Sequence, residues 1–384
     1  MTAAATATDL VAYVNTLLEL SASPLDLSVE IKKNDAAAVV AAIAPKAEQL
    51  LAHDAETDVE GTFSMLFDVV RQLPKDDAVK QATKVLAVVL AKQDEKAVLR
   101  LRIATNLFNK SAALPELRFD TLVQVIAFAS KTENLDLVAS YFDDVESLFA
   151  ATSLSAEKRR KLFLTIADAL QAADNQKSLK VLLFLEKYLS TFAAGDKDLA
   201  SGKAVALRAT KLVLQHPVAS FVARVDLISN PVVAATLKGE KVLELLDIVS
   251  TKTLNEYMAF QKAAGAAFFK DNALDAADLE ATLRLFTLCA LPVGFDEISY
   301  ATIAKALSIQ EDEVEAWVVK AITANLVSAK VDQLKRTVVI SRTLQRGFGA
   351  EQWKDISAKL ALYKKNVGAL LDVVRSARQA HQQK

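Results

Sequence analysis

The side chains that most often carry catalysis or bind metals are few in this sequence and lie far apart. There are three histidines, His53, His216 and His381, and one cysteine, Cys289. A zinc site brings such ligands together at short spacings, as in CxxC or HExxH, and neither pattern occurs here. The phosphate-binding patterns GxGxxG and GxxxxGK followed by Ser or Thr are also absent. We therefore expect no catalytic residue, cofactor or metal, and a function in binding.

A group of carboxylates begins the second of two short helices that are predicted at about 299–307 and 311–324. Carboxylates there stabilise the helix N-terminus by about 0.3–1 kcal/mol each. In a DNA-binding helix-turn-helix, however, the same turns enter the major groove and face phosphates. Over 299–324 only Lys305 and Lys320 oppose four acids, a net charge of −2, so DNA reading is not expected; the acids are Glu311, Asp312, Glu313 and Glu315.

The segment that follows has the opposite charge. Over 325–346, five cations oppose only Asp332, a net charge of +4. One interpretation is a solvated hairpin; the other is contact with RNA phosphates or with an acidic partner surface. No aromatic residue lies among these charges, so base stacking is not predicted. The cations are Lys330, Lys335, Arg336, Arg342 and Arg346.

The segment 350–380 carries the strongest interaction signal, a heptad seam of large apolar side chains spaced 3, 4, 3, 4, 3 and 4 residues apart. Burying such a residue contributes about 1.5–3 kcal/mol before entropy is counted. The seam either packs on the chain's own helices or joins helices of other chains, and we favour the second. The seam residues are Trp353, Ile356, Leu360, Tyr363, Val367, Leu370 and Val374.

Two strands are predicted between the carboxylate-rich helix and the seam. In 325–332, Val327, Ala329 and Val331 alternate with polar residues, which is typical of a half-buried strand. A polar turn at 333–336 leads to a β-branched run at 337–341. Helix, turn, helix and hairpin form the winged-helix arrangement.

The rest of the sequence is predicted to be helical. Only 9 glycines and 7 prolines occur in 384 residues, and many segments repeat apolar residues with helical spacing. Short connections make successive helices pack as antiparallel hairpins, so we expect a curved solenoid. Helices are predicted at about 9–20, 34–55, 58–73, 76–92, 94–109, 115–130, 132–150, 155–173, 176–193, 198–215, 240–270 and 277–290.

Composition limits the compartment and the class of partner. The net charge is −1, unlike that of a strongly basic nucleic-acid binder. The N-terminus lacks the features of a secretory signal, and the longest apolar run, 36–45, is about half of what a membrane helix needs. With a single cysteine, these features indicate a soluble, cytoplasmic protein.

The order of these elements resembles the PCI-domain proteins, which are scaffold subunits of the proteasome lid, the COP9 signalosome and eukaryotic translation initiation factor 3. Three segments resemble those of the initiation factor 3 complex in particular. They are 100-RLRIATNLFN-109, the stretch 313–342 from EVEAWVVKAI to VVISR, and 346-RGFGAEQWKDISAKLALYKKN-366.

The resemblance implies a mostly α-helical fold with a right-handed helical-repeat solenoid at 1–290, a winged helix at 291–346 and a bundle helix at 347–384. It implies a non-catalytic scaffold in translation initiation that joins other PCI and MPN subunits and meets the small ribosomal subunit through the complex, without a membrane or small-molecule substrate. The lid, the signalosome and an RNA-binding winged-helix protein remain alternatives. The seam would enter a shared helical bundle, and the hairpin would form a subunit edge through Val327, Ala329, Val331, Val338 and Ile340.

Overall fold

The structure is a computed structural model, and it describes residues 3–19, 24–33, 35–149, 154–173, 178–193, 195–196, 198–293, 297–344, 346 and 350–382. The chain separates into two compact units, Met1–Ala193 and Ala194–Lys384. This division was not expected from the sequence, and the expected boundary at 290–291 falls inside the second unit. The boundaries of the solenoid, the winged helix and the bundle helix therefore stay predictions.

The N-terminal unit consists of helices joined by short connections. Helix α7 packs on α5 and α8, α8 also packs on α6 and α11, and α11 packs on α12, as in a stack of helical hairpins. The helices are α1 (Ala3–Leu17), α2 (Ser28–Lys32), α3 (Ala36–Ile43), α4 (Ala47–Ala52), α5 (Glu56–Val70), α6 (Lys75–Val89), α7 (Ala97–Lys110), α8 (Pro115–Lys131), α9 (Ser140–Asp143), α10 (Val145–Leu148), α11 (Ala156–Ala173) and α12 (Ser178–Ser190).

A buried arginine holds this stack together at α7. The side chain of Arg100 is only 2% exposed. Its Nε donates to the carbonyl oxygen of Glu95 at 2.8 Å, and its Nη1 donates to that of Val89, at the end of α6, at 2.9 Å. Its Nη2 lies 3.3 Å from Glu48 Oε1. The last carbonyl groups of a helix have no N–H donor within the helix. Arg100 supplies such a donor to the carbonyl oxygen at the end of α6.

The C-terminal unit begins with more helices and ends with a small sheet and one long helix. Its elements are α13 (Lys203–Gln215), α14 (Pro217–Val222), α15 (Pro231–Thr236), α16 (Lys241–Thr251), α17 (Leu254–Asp271), α18 (Ala276–Cys289), β1 (Ile298–Ser299), α19 (Tyr300–Leu307), α20 (Val314–Thr323), β2 (Val327–Asp332), β3 (Thr337–Thr343) and α21 (Ala350–Gln382). A 3₁₀ turn at Glu311–Glu313 precedes α20.

The winged helix has the predicted helices and hairpin, with one further strand. The sheet has the order β1-β3-β2, and both pairs are antiparallel. The two-residue strand β1 was not predicted, because it is too short to show alternation. Ser299 caps α19, and Ser308 ends α19 with a φ of 53°. The predicted fold class, helical hairpins followed by a winged helix and a final helix, is confirmed.

Three predicted helices are interrupted in the structure. The segment 240–270 divides into α16 and α17, because Thr253 and Glu256 form a capping box that starts a new helix. The segments 34–55 and 132–150 are series of short helices and 3₁₀ turns. Helices α14 and α15, which were not predicted, each begin with proline at the first position, where a missing N–H costs nothing.

Gly265 kinks α17, and we expect its replacement by alanine to destabilise the C-terminal unit. Its φ of 76° and ψ of 162° lie in a region that side chains with a Cβ rarely adopt. We expect Gly265→Ala to lower the free energy of unfolding by about 1–3 kcal/mol, measured by urea unfolding. The matched control is Gly61→Ala in α5, where nothing lies near the added Cβ. That change should stabilise by about 0.5–1 kcal/mol. Equal effects at the two positions would contradict the role of the kink.

Candidate interaction surfaces of the C-terminal unit

The carboxylates around the start of α20 all have local partners. Glu313 accepts from the backbone N–H of Gln310 in a capping box. Glu315 accepts from the Tyr300 hydroxyl at 2.9 Å and from the Gln333 amide at 2.6 Å. Burial, followed by the bond to Glu315, raises the pKa of Tyr300, so its hydroxyl stays a donor at neutral pH. The acids therefore stabilise the winged helix, and the surface they leave is unsuited to phosphates.

Two of the five predicted basic residues pair with acids of the same unit. Lys335 Nζ lies 3.1 Å from Glu297 Oε1, and this hydrogen bond raises the pKa of Lys335. The guanidinium of Arg336 reaches Asp312 at 3.2 Å and Glu311 at 3.6 Å. Both pairs are exposed, so they contribute little stability, but they reduce the positive field of the hairpin.

A third predicted basic residue, Arg346, is a structural anchor. Its Nη1 donates to the carbonyl oxygen of Val249 at 3.0 Å, and its Nη2 donates to that of Lys252 at 2.9 Å. Its guanidinium carbon lies 5.3 Å from the ring centroid of Phe286. Arg346 therefore satisfies carbonyl oxygens at the C-terminal end of α16, which have no partner within that helix.

The other two predicted cations, Lys330 and Arg342, lie on the surface of the hairpin. Both are exposed, and neither has an ion pair or side-chain hydrogen bond within the described part of the chain. Of the five residues predicted to meet RNA or an acidic partner, these two keep an uncompensated charge. Contact through them stays a prediction.

The hairpin residues predicted to form a subunit edge divide between core and surface. Val327, Val338 and Ile340 are buried, so their side chains hold the sheet in place. Ala329 and Val331 are half-buried. In the order β1-β3-β2, one side of β2 has no neighbouring strand, which leaves backbone donors and acceptors for a partner. An edge contact therefore stays a prediction, carried by the β2 backbone with Ala329 and Val331.

The seam of α21 is exposed in this unit. Six of its seven residues are exposed, from 36% for Val367 to 69% for Tyr363, and Ile356 is half-buried. Among the described elements of the C-terminal unit, no helix or strand packs along α21. The seam is therefore open to a partner, and which helices cover it stays a prediction.

Three further apolar residues of α21 are exposed and were not predicted as contacts. Leu371 extends the seam, whereas Leu362 and Val373 lie on another side of the helix. These two residues are 11 positions, about three helical turns, apart, so they share a side of the helix without forming a continuous seam.

The structure describes the surroundings of His53, His216 and Cys289. His53 Nδ1 accepts from the backbone N–H of Ala55, and His216 precedes α14. Cys289 is buried, and burial raises its pKa to about 11, so the thiol stays protonated at neutral pH. Within the described ranges, no three side chains of His, Cys, Asp or Glu converge as a metal site requires. No helix among those residues is long and apolar enough to cross a membrane.

Comparison with known proteins identifies a domain and a set of relatives. Residues 261–342, from α17 to β3, match the PCI domain family. The chain is 29% identical over 332 residues to eukaryotic translation initiation factor 3 subunit M of Dictyostelium discoideum, which covers 85% of this chain and 80% of the relative. It is 27% identical to the subunit M of Phaeosphaeria nodorum, over 83% of this chain and 72% of the relative. The subunit M of Chaetomium globosum is 32% identical, over 67% of this chain and 61% of the relative.

Proposed function

We propose that this chain, as a PCI-domain protein of the eukaryotic translation initiation factor 3 subunit M family, is a non-catalytic scaffold subunit of the initiation factor 3 complex. In this role it would act in the cytoplasm. It would support assembly of the 43S pre-initiation complex and recruitment of mRNA to the small ribosomal subunit by holding other subunits together.

The observation that carries this proposal is the exposed seam of α21. A helix of 33 residues that presents large apolar side chains to water is expected to be covered by other helices. Each seam residue that becomes buried contributes about 1.5–3 kcal/mol before entropy is counted. The partners would be other PCI and MPN subunits of the complex, whose helices would bury the seam of α21.

The winged helix would supply a second contact. A partner strand or loop would meet the unpaired side of β2, where main-chain hydrogen bonds give affinity and the flanking side chains give specificity. Ala329 and Val331 are the predicted edge residues that remain accessible for this contact. This chain would then be linked to the small ribosomal subunit through the rest of the complex.

Purification of the tagged chain from its own cells at moderate salt tests the proposal. Other initiation factor 3 subunits should co-purify, and the chain should sediment with the small ribosomal subunit on a density gradient. Recovery of proteasome-lid or signalosome subunits instead would overturn the proposed process. Recovery of no stable partner would overturn the scaffold role itself.

A further inference from the structure

The seam of α21 is bordered by positive charge. Residues 350–382 contain six lysines and arginines against three acids, a net charge of +3. The seam residues alternate between positions a and d of the heptad, beginning with Trp353 at a. The residue before each a and the residue after each d lie beside the seam and meet the flanks of a partner helix. In the sequence from 353 to 374, the charged residues at these flanking positions are Lys359 and Lys364, and no acid occupies one.

Lys364 has no partner on its own helix. It is exposed, and it makes no ion pair or side-chain hydrogen bond among the described residues. Side chains three and four positions apart are neighbours on a helix surface. For Lys364 these neighbours are Leu360, Ala361, Val367 and Gly368, and none of them is charged.

The helix dipole does not account for Lys364 either. Its favourable effect on cations is confined to about the last turn of a helix. Lys364 lies near the middle of a helix of 33 residues. A role in the contact that covers the seam would account for a cation at this place.

Covering the seam changes the surroundings of Lys364. A lysine beside such a seam lays its methylene groups along the apolar side chains and keeps its ammonium at the edge of the contact. There the ammonium loses part of its water, which costs free energy unless an opposite charge pairs with it. A carboxylate of the partner would supply that charge, whereas a cation at the same place would repel Lys364.

Tyr363 adds a hydrogen-bond donor next to this ammonium. It occupies a d position of the seam and is 69% exposed. When a tyrosine ring is buried in a contact, its hydroxyl usually finds a hydrogen-bond partner. An ionised carboxylate only accepts hydrogen bonds, and its two oxygens can accept several. The donors of Tyr363 and Lys364 therefore both favour a carboxylate.

The width of the seam indicates a helix, and not a lipid surface, as the partner. A helix that lies in a membrane interface buries a broad apolar face. Between residues 356 and 367 the seam is narrow, because the residues that flank it include Ser357, Lys364 and Asn366, which are polar and exposed. A narrow seam with spacings of three and four residues fits another heptad helix.

We propose that the helix covering this part of the seam is acidic: an amphipathic helix of another subunit, with Asp or Glu beside its own apolar stripe to pair with Lys364. This inference rests on the proposed function, because it takes the seam to be covered within the complex, and it adds the chemical class of the partner. Such pairing selects among helices, since a basic helix with the same apolar stripe would be repelled.

Competition between two forms of the full chain in one cell tests the pairing. The unchanged chain and Lys364→Glu carry different tags, and the complex is purified through another subunit. The ratio of the two chains in the complex, divided by their ratio in the lysate, measures their relative incorporation. We expect Lys364→Glu to be incorporated about fivefold less, because an attractive pair becomes a repulsive one. Lys364→Arg keeps the charge and should be incorporated like the unchanged chain.

The matched control is Lys365→Glu. Lys365 is also exposed and without an ion pair in the described part of the chain, but it lies on the side of α21 away from the seam. The control makes the same change in net charge and should be incorporated within about twofold of the unchanged chain. Equal loss with both variants, or no loss with Lys364→Glu, would overturn the inference. Better incorporation of Lys364→Glu would also overturn it, since it would assign a basic partner.

Two further results separate this inference from the scaffold role. If the variant Leu360→Asp with Val367→Asp and Leu370→Asp is excluded from the complex while Lys364→Glu enters it normally, the scaffold role stands and only the acidic partner is overturned. If both variants enter normally, the seam is not a subunit contact, and both proposals fail. Sedimentation of the unchanged full chain with phosphatidylserine vesicles, abolished by Lys364→Glu, would overturn the inference in favour of a lipid surface.

Discussion

Replacing Leu360, Val367 and Leu370 by aspartate is expected to release the chain from its complex while both compact units stay folded. These seam residues are exposed in the C-terminal unit, so their replacement removes no contact on which that unit depends. In the complex, the three changes would forfeit about 4.5 kcal/mol or more of apolar burial, a weakening of about a thousandfold. Co-purification of partners with the tagged variant measures the effect, and circular dichroism checks the fold.

The same helix supplies a control with the same added charge. Ala358, Ala361 and Ser376 are exposed and lie away from the seam on α21, and aspartate at these three positions should leave partner recovery nearly unchanged. Equal loss of partners with both triple variants would mean that negative charge on α21, and not loss of the seam, disrupts the complex. Loss of the helical signal with the seam variant would show that α21 is needed for the unit itself.

Replacement of Arg100 by alanine is expected to lower the free energy of unfolding of the N-terminal unit by about 2–5 kcal/mol, because carbonyl oxygens that lose their donors cost about 1–3 kcal/mol each. The change would leave the carbonyl oxygens of Val89 and Glu95 without their donors and open a cavity between α6 and α7. Urea unfolding of the full chain measures the loss. Lysine at this position should recover only part of it, because an ammonium cannot reproduce the fork of donors.

Arg102, two residues further along α7, is the matched control. It is about half exposed, and its guanidinium pairs with Glu56 at 3.0 Å and Glu60 at 3.5 Å. Exposed pairs contribute about 0–1 kcal/mol, so Arg102→Ala should have a small effect. Similar losses at the two positions would contradict the structural role given to the buried Arg100.

The elements of the C-terminal region were largely predictable because their patterns are local. Each signal lies within one continuous stretch of sequence. The signals are the alternation in 325–332, the β-branched run at 337–341 and the heptad spacing after residue 350. The structure has β2, β3 and α21 at the positions predicted from these signals. The short β1 is formed by pairing with β3, and two residues show no period.

The surfaces were predicted less well, because charge counts along a sequence do not show which charges meet. Arg346 was counted with the basic hairpin, but its partners are carbonyls of residues 249 and 252, almost one hundred positions earlier. Alternation showed which hairpin residues share a face, but not that Val338 and Ile340 face the core.

The exposed seam of α21 would also affect the steady-state amount of this protein in a cell. A chain made in excess of its partners would present a long apolar stripe to chaperones and proteases, which act on such surfaces. Its steady-state level would then follow the supply of the subunits that cover the helix, so depletion of a partner would shorten the lifetime of this chain without any change in its mRNA. If α21 joins the complex as proposed, this helix would in this way also set the stoichiometry of assembly.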